Sequence, residues 1–132
     1  MISWFEKHRG VCWLFTILIG VVIFYVSSLV FEPGVGVGTS INALFYHLMA
    51  FFFFGFFLLM SLVGGKKRRL FVLGIVLAVV YGISDELHQF FVPGRHMSLF
   101  DIFLDTTGIV FAAMIYFIWV ERRGSRVWEV GA

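Results

Sequence analysis

A chain of 132 residues that is 61% apolar and 14% charged lies far below the roughly 25% charge of soluble domains, which excludes an ordinary water-soluble fold. One fifth of the residues are aromatic, 18 of them Phe, and so short a chain has too little core to hide them all, so much of this surface must meet lipid. The net charge of +2 would suggest nucleic acid only if the basic residues shared a soluble face; they flank apolar runs instead, so the expected partner is the lipid bilayer and no nucleic acid is expected.

The first apolar run covers about residues 11 to 31, close to the ~20 residues a helix needs to cross ~30 Å of hydrocarbon. It resembles a signal peptide in its charged start, but the run is too long and no small-residue cleavage pattern follows, so a retained anchor is expected. Cys12, the only cysteine, lies within it as a small hydrophobe and permits no internal disulfide. Gly34, Gly36 and Gly38 follow; without a preceding strand or a following Lys-Ser/Thr they read as a flexible outer loop and not as a phosphate cradle.

The second run covers about residues 43 to 63 and contains Phe51 to Phe54, Phe56 and Phe57, suited equally to lipid contact and to helix packing. Lys66, Lys67, Arg68 and Arg69 read as a topology-setting turn. The third run, about 70 to 91, is clean from Leu70 to Ile83 and then carries Ser84, Asp85, Glu86, His88 and Gln89 before Pro93, which stops it. The fourth covers about 100 to 120. Long unalternating runs exclude a closed barrel. The expected fold is all-α, a single membrane domain over residues 1–132 built as a four-transmembrane-helix bundle.

Orientation follows from the basic residues, since Lys and Arg stay with cytoplasmic loops. Lys7 and Arg9 precede the first run, four more fill the turn after the second, and Arg122, Arg123 and Arg126 follow the fourth; Arg95 alone falls on the other side. Both termini are therefore expected in the cytoplasm.

Ionisable residues within a membrane usually have a partner or a task. At ~1.5 Å per residue, Asp85 lies ~23 Å from the cytoplasmic end of the third helix, Asp105 ~25 Å from Arg122, and His47 ~28 Å from Lys66. Three helices thus bring polar groups to one level near the outer face. Gln89 is one helical turn from both Asp85 and Glu86, and Asp101, Asp105, Gly108 and Ala112 form one stripe, which should face the bundle because its small residues allow close approach. The short connection through Pro93, Gly94, Arg95, His96, Met97 and Ser98 makes the last two helices antiparallel neighbours and lets Arg95 fold back onto the carboxylates. Ser98-x-x-Asp101 has the form of a capping box. Asp85 and Glu86 point about 100° apart and one Arg cannot serve both; His47 is the expected second partner. His88 and His96 read as exposed interfacial residues.

The stretch from Tyr81 to Gly108 resembles the signature of the VanZ-like family of bacterial membrane proteins. That pattern is an acidic pair followed by Gln, then Pro-Gly-Arg, Ser, Asp, a second Asp or Asn four residues later, and Gly. Here those positions are Asp85, Glu86, Gln89, Pro93, Gly94, Arg95, Ser98, Asp101, Asp105 and Gly108. Asn42 to His47 is similar to the family's second-helix entrance, although Leu44 and Phe45 leave no Lys there, and Ala112 stands where Gly is common. The resemblance spans roughly residues 11 to 120. It implies a multi-pass protein of the bacterial cytoplasmic (inner) membrane acting on the cell envelope, in a family named for a protein linked to teicoplanin resistance.

Three readings of the polar cluster follow. The first is an outward-facing site for a lipid head group or an envelope glycoconjugate. In it Asp85, Gln89, Arg95 and Ser98 bind the ligand, Arg95 and His96 act as donors, and the start of the fourth helix serves as an anion site. The second is an outer-leaflet hydrolase or transferase in which His47, Glu86, Asp101 and Asp105 act as general acid-base groups or ligate a divalent metal. No nucleophile-base pair or His-Glu-x-x-His motif is present, and neither a cofactor nor a particular metal is implied. In the third, Glu86 and Asp101 pair with Arg95 and Gln89 bridges helices, so that the motif only locks the bundle. Transport is disfavoured, because the inner halves of the first, second and fourth helices carry no polar path. The oligomeric state is not legible.

Overall fold

The computed structural model describes residues 7–30, 41–64 and 68–122. Gly34, Gly36 and Gly38, the turn residues Lys66 and Lys67, and Arg123 and Arg126 lie outside them. Among the described residues there are four long helices and no strand: α1 (Arg9–Ser27), α2 (Ile41–Val63), α3 (Arg68–Phe91) and α4 (Leu99–Glu121). All four are long and apolar enough to cross a membrane. In lipid the backbone can satisfy itself only within helices or a closed barrel, and runs this apolar can only be helical.

Three helices match the expected spans within two residues, and α1 stops four residues early. Its end is set by serines. The hydroxyls of Ser27 and Ser28 both donate to the Phe24 carbonyl, at 2.9 and 2.7 Å, and the Ser28 N–H bonds back to Phe24 and Tyr25. These local bonds take over the carbonyls of the last turn.

Contacts along the bundle fix it as up-down-up-down. Arg9 at the start of α1 donates to the Ser61 carbonyl (2.7 and 3.0 Å) and the Leu62 carbonyl (2.7 Å) at the end of α2. A cation there satisfies orphan carbonyls and complements the helix dipole. Gly64 just beyond, at φ +50°, provides the left-handed exit. Tyr81 of α3 donates to the Gly20 carbonyl of α1 at 2.6 Å. α2 packs against all three other helices, most extensively against α4.

Two apolar clusters fill the interior. One, toward the end where α1 begins and α4 finishes, joins Cys12, Leu59, Met60, Val63, Ala113, Tyr116 and Val120. The other, at mid-depth, joins Ile23, Phe51, Phe54, Leu58, Ala78 and Ile109. The Phe run of α2 therefore divides: Phe51 and Phe54 are buried while Phe53 faces outward. Leu14, Ile17, Val72, Val80, Phe103 and Phe111 are likewise exposed on the outer surface, where a bilayer would cover them. Along α4 the buried stripe runs Asp105, Gly108, Ile109, Ala112, Ala113, Tyr116, as the small-residue spacing suggests. A Cβ at Gly108 would overlap the Leu48 carbonyl oxygen and lie 3.0 Å from the Phe52 nitrogen, so α2 and α4 touch backbone to backbone there.

Candidate functional site

The end of α1, the start of α2, the end of α3 and the start of α4 meet at one end of the bundle. There His47, Asp85, Glu86, Gln89 and Asp105 are all buried, with Glu86 at 0% and Asp105 at 1% exposure. Ser27 at the end of α1 is buried there as well, and so many buried polar side chains at one end of a largely apolar bundle need an internal account of their hydrogen bonds.

On α3 the account centres on Gln89. Its Nε2 donates to Asp85 Oδ2 and to Glu86 Oε1, both at 3.0 Å, and its Oε1 accepts from Arg95 Nη2 at 2.6 Å. Arg95 does fold back, and it reaches the acids through the Gln89 amide. The turn that returns it is closed by Arg95 N–H to the Val92 carbonyl (3.0 Å) and by Gly94 at φ +81°, a conformation suited to glycine.

At the start of α4, Ser98 is the N-cap and its Oγ accepts from the Asp101 N–H at 3.2 Å. Only half of the expected capping box forms. The Ser98 N–H donates to Glu86 Oε2 at 3.0 Å, so a carboxylate from α3 takes the place expected for Asp101, whose side chain is partly exposed. This bond ties the end of α3 to the start of α4.

His47 pairs with α4 and not with the α3 acids. Its Nδ1 shares a hydrogen bond with Asp105 Oδ1 at 2.9 Å. The reason lies one turn inward, where the missing side chain of Gly108 lets α4 close onto α2. The other oxygen, Asp105 Oδ2, is buried with no hydrogen-bond partner among the described residues. It faces α3 at Gly82, where a Cβ would lie 3.6 Å from it. One ligand-capable atom from each of His47, Glu86 and Asp105 falls within a sphere of contacts no longer than 4.8 Å.

His88 differs from the expectation of an exposed ring. It is half-buried, with Nε2 3.0 Å from Ser28 Oγ and its ring stacked on Phe24 at a centroid separation of 4.4 Å. The early end of α1 puts Ser28 at its level. His96 is exposed.

Sequence reasoning assigned no role to Tyr46. Its ring meets His47 edge-on at 5.7 Å, and its hydroxyl is buried without a hydrogen-bond partner among the described residues. Tyr46 also lines an apolar groove of about 350 Å³ between α1 and α2, with Val22, Ile23, Ala50 and Phe53, so it stands where the polar cluster meets the apolar flank. Its position beside His47 was the available signal, but an interfacial Tyr is common enough in membrane helices to draw no notice.

A family model described as VanZ/LLP1 matches residues 12–120. No curated protein and no solved structure matches the chain.

Proposed function

The chain belongs to the VanZ/LLP1 family, and from that premise we propose that it binds the head group of an envelope lipid at the polar end of the bundle. It is a multi-pass membrane protein. In this reading it lies in the bacterial cytoplasmic membrane with both termini inside, because Lys7, Arg9, Arg69 and Arg122 belong to one end and Arg95 to the other. The cluster then faces the envelope, which accords with the envelope role, such as glycopeptide resistance, that the family name implies.

The observation that carries the reading is Asp105 Oδ2, a buried acceptor with no partner among the described residues, which calls for a donor such as a head-group hydroxyl. A cluster serving only to lock helices together would have its acceptors filled from within, as Gln89 and the Ser98 N–H fill both oxygens of Glu86; Asp85 Oδ1, like Asp105 Oδ2, is left open among the described residues. Arg95 supplies the cation for a phosphate, and the groove beside Tyr46 suits an acyl chain. Native mass spectrometry of the detergent-solubilised protein tests this with phosphatidylglycerol against diacylglycerol. Selective retention of phosphatidylglycerol, weakened at least tenfold by Arg95→Met, is expected; equal retention of both lipids would remove the reading.

A second reading, an outer-leaflet hydrolase or transferase, is favoured by the 2.9 Å His47–Asp105 bond. A carboxylate on Nδ1–H orients an imidazole and leaves Nε2 to take a proton. Turnover of the retained lipid, abolished by His47→Gln, would favour this reading over simple binding.

A further inference from the structure

The geometry points to a divalent-cation site formed by His47, Glu86 and Asp105, taking a first-row transition ion of the Mn²⁺ or Fe²⁺ type. The three side chains come from three helices and are each at least nine-tenths buried, with candidate ligand atoms no more than 4.8 Å apart. Ligands about 2.1 Å from one ion stand about 3.0 Å apart when adjacent at right angles and about 4.2 Å apart when opposite. His47 Nδ1 and Asp105 Oδ1, at 2.9 Å, already have the adjacent spacing, and a ligand atom of Glu86 completes the set within 4.8 Å. A set of one imidazole and two carboxylates suits Mn²⁺ or Fe²⁺ better than all-oxygen Mg²⁺ or a thiolate-bound Zn²⁺.

Independently of that spacing, Asp105 Oδ2 is, among the described residues, an unpartnered acceptor inside the cluster, facing Gly82 on the helix that also carries Glu86. On binding, the proton between Nδ1 and Oδ1 leaves to solvent and the ion takes its place. The surrounding bonds fit ligand orientation: Glu86 is steered by Gln89 and by the Ser98 N–H, as outer partners steer ligands in metal sites. This deepens the head-group reading, since a resident cation would let an acid-rich site accept a phosphate. Cation binding is measured without added lipid, so the two can fail separately.

The test is electron paramagnetic resonance of free Mn²⁺ titrated into the chelator-stripped full chain in a neutral detergent. One Mn²⁺ per chain is expected to bind. His47→Gln, Asp105→Asn and Glu86→Gln should each weaken it by more than about tenfold, and Asp101→Asn, partly exposed at the same end, should leave it unchanged. Mn²⁺ should also raise the thermal midpoint of the parent and of Asp101→Asn. If Asp105→Asn elutes as aggregate, the Glu86→Gln titration decides. No stoichiometric binding by the parent, or binding that survives all three substitutions, would overturn the site.

Discussion

Gly108→Ala should separate the two helices that build the site. An alanine in a helix interior is ordinarily favoured over glycine by about 1 kcal/mol. At Gly108, however, the new methyl would overlap the Leu48 carbonyl oxygen and press the Phe52 nitrogen at 3.0 Å. Both are backbone atoms that no rotamer change can move, so the overpacking cost should lie near the upper end of its usual range, about 3 kcal/mol. A net loss of about 2 kcal/mol is expected from these two terms. Gly55 is the control, on the same interface: its Cβ would meet Ile109 at 3.5 to 3.6 Å, an ordinary contact, so Gly55→Ala should be neutral or slightly stabilising. Thermal unfolding in one detergent, read by loss of the monodisperse chromatographic peak, measures both. If Gly108→Ala unfolds no earlier than Gly55→Ala, the close approach of α2 and α4 is refuted, and with it the placement of His47 against Asp105.

Two further outcomes follow from the fold. Arg9→Met should lower stability by about 1 kcal/mol, because the side chain closes the carbonyl end of α2; an unchanged unfolding temperature would contradict that role. In intact cells, on a Cys12→Ala background, Met97→Cys should react with a membrane-impermeant maleimide while Arg122→Cys should not; the reverse pattern would invert the orientation.

The number and length of the helices, and the α4 stripe, were legible because lipid permits few alternatives: twenty apolar residues can only be a helix, and Gly108 and Ala112 on one face could only mean close packing. Equal depth of His47, Asp85 and Asp105 was legible from counting alone. Partner choice was not. His47 chose Asp105 over the α3 acids because of a rotation and approach between α2 and α4 that spacing does not specify. Glu86 displaced Asp101 from the Ser98 N–H because the turn through Gly94 brings that N–H back over α3. His88 was misjudged as exposed because Ser27 and Ser28 ended α1 early, a local hydroxyl effect hidden inside a run of uniform hydropathy.

The central claim is that Asp105 is held for something other than the fold, and the most direct measurement compares the unfolding free energies of Asp105→Asn and Gln89→Leu in the parent's detergent. Gln89→Leu removes the amide that joins Arg95 to two buried acids and should cost about 3 kcal/mol. Asp105→Asn keeps an acceptor for His47 and relieves repulsion among buried carboxylates, so it should leave stability equal or raise it, as neutralising a group kept for function does. If Asp105→Asn instead falls as far as Gln89→Leu, the carboxylate is a fastening of the bundle and the site reading is wrong.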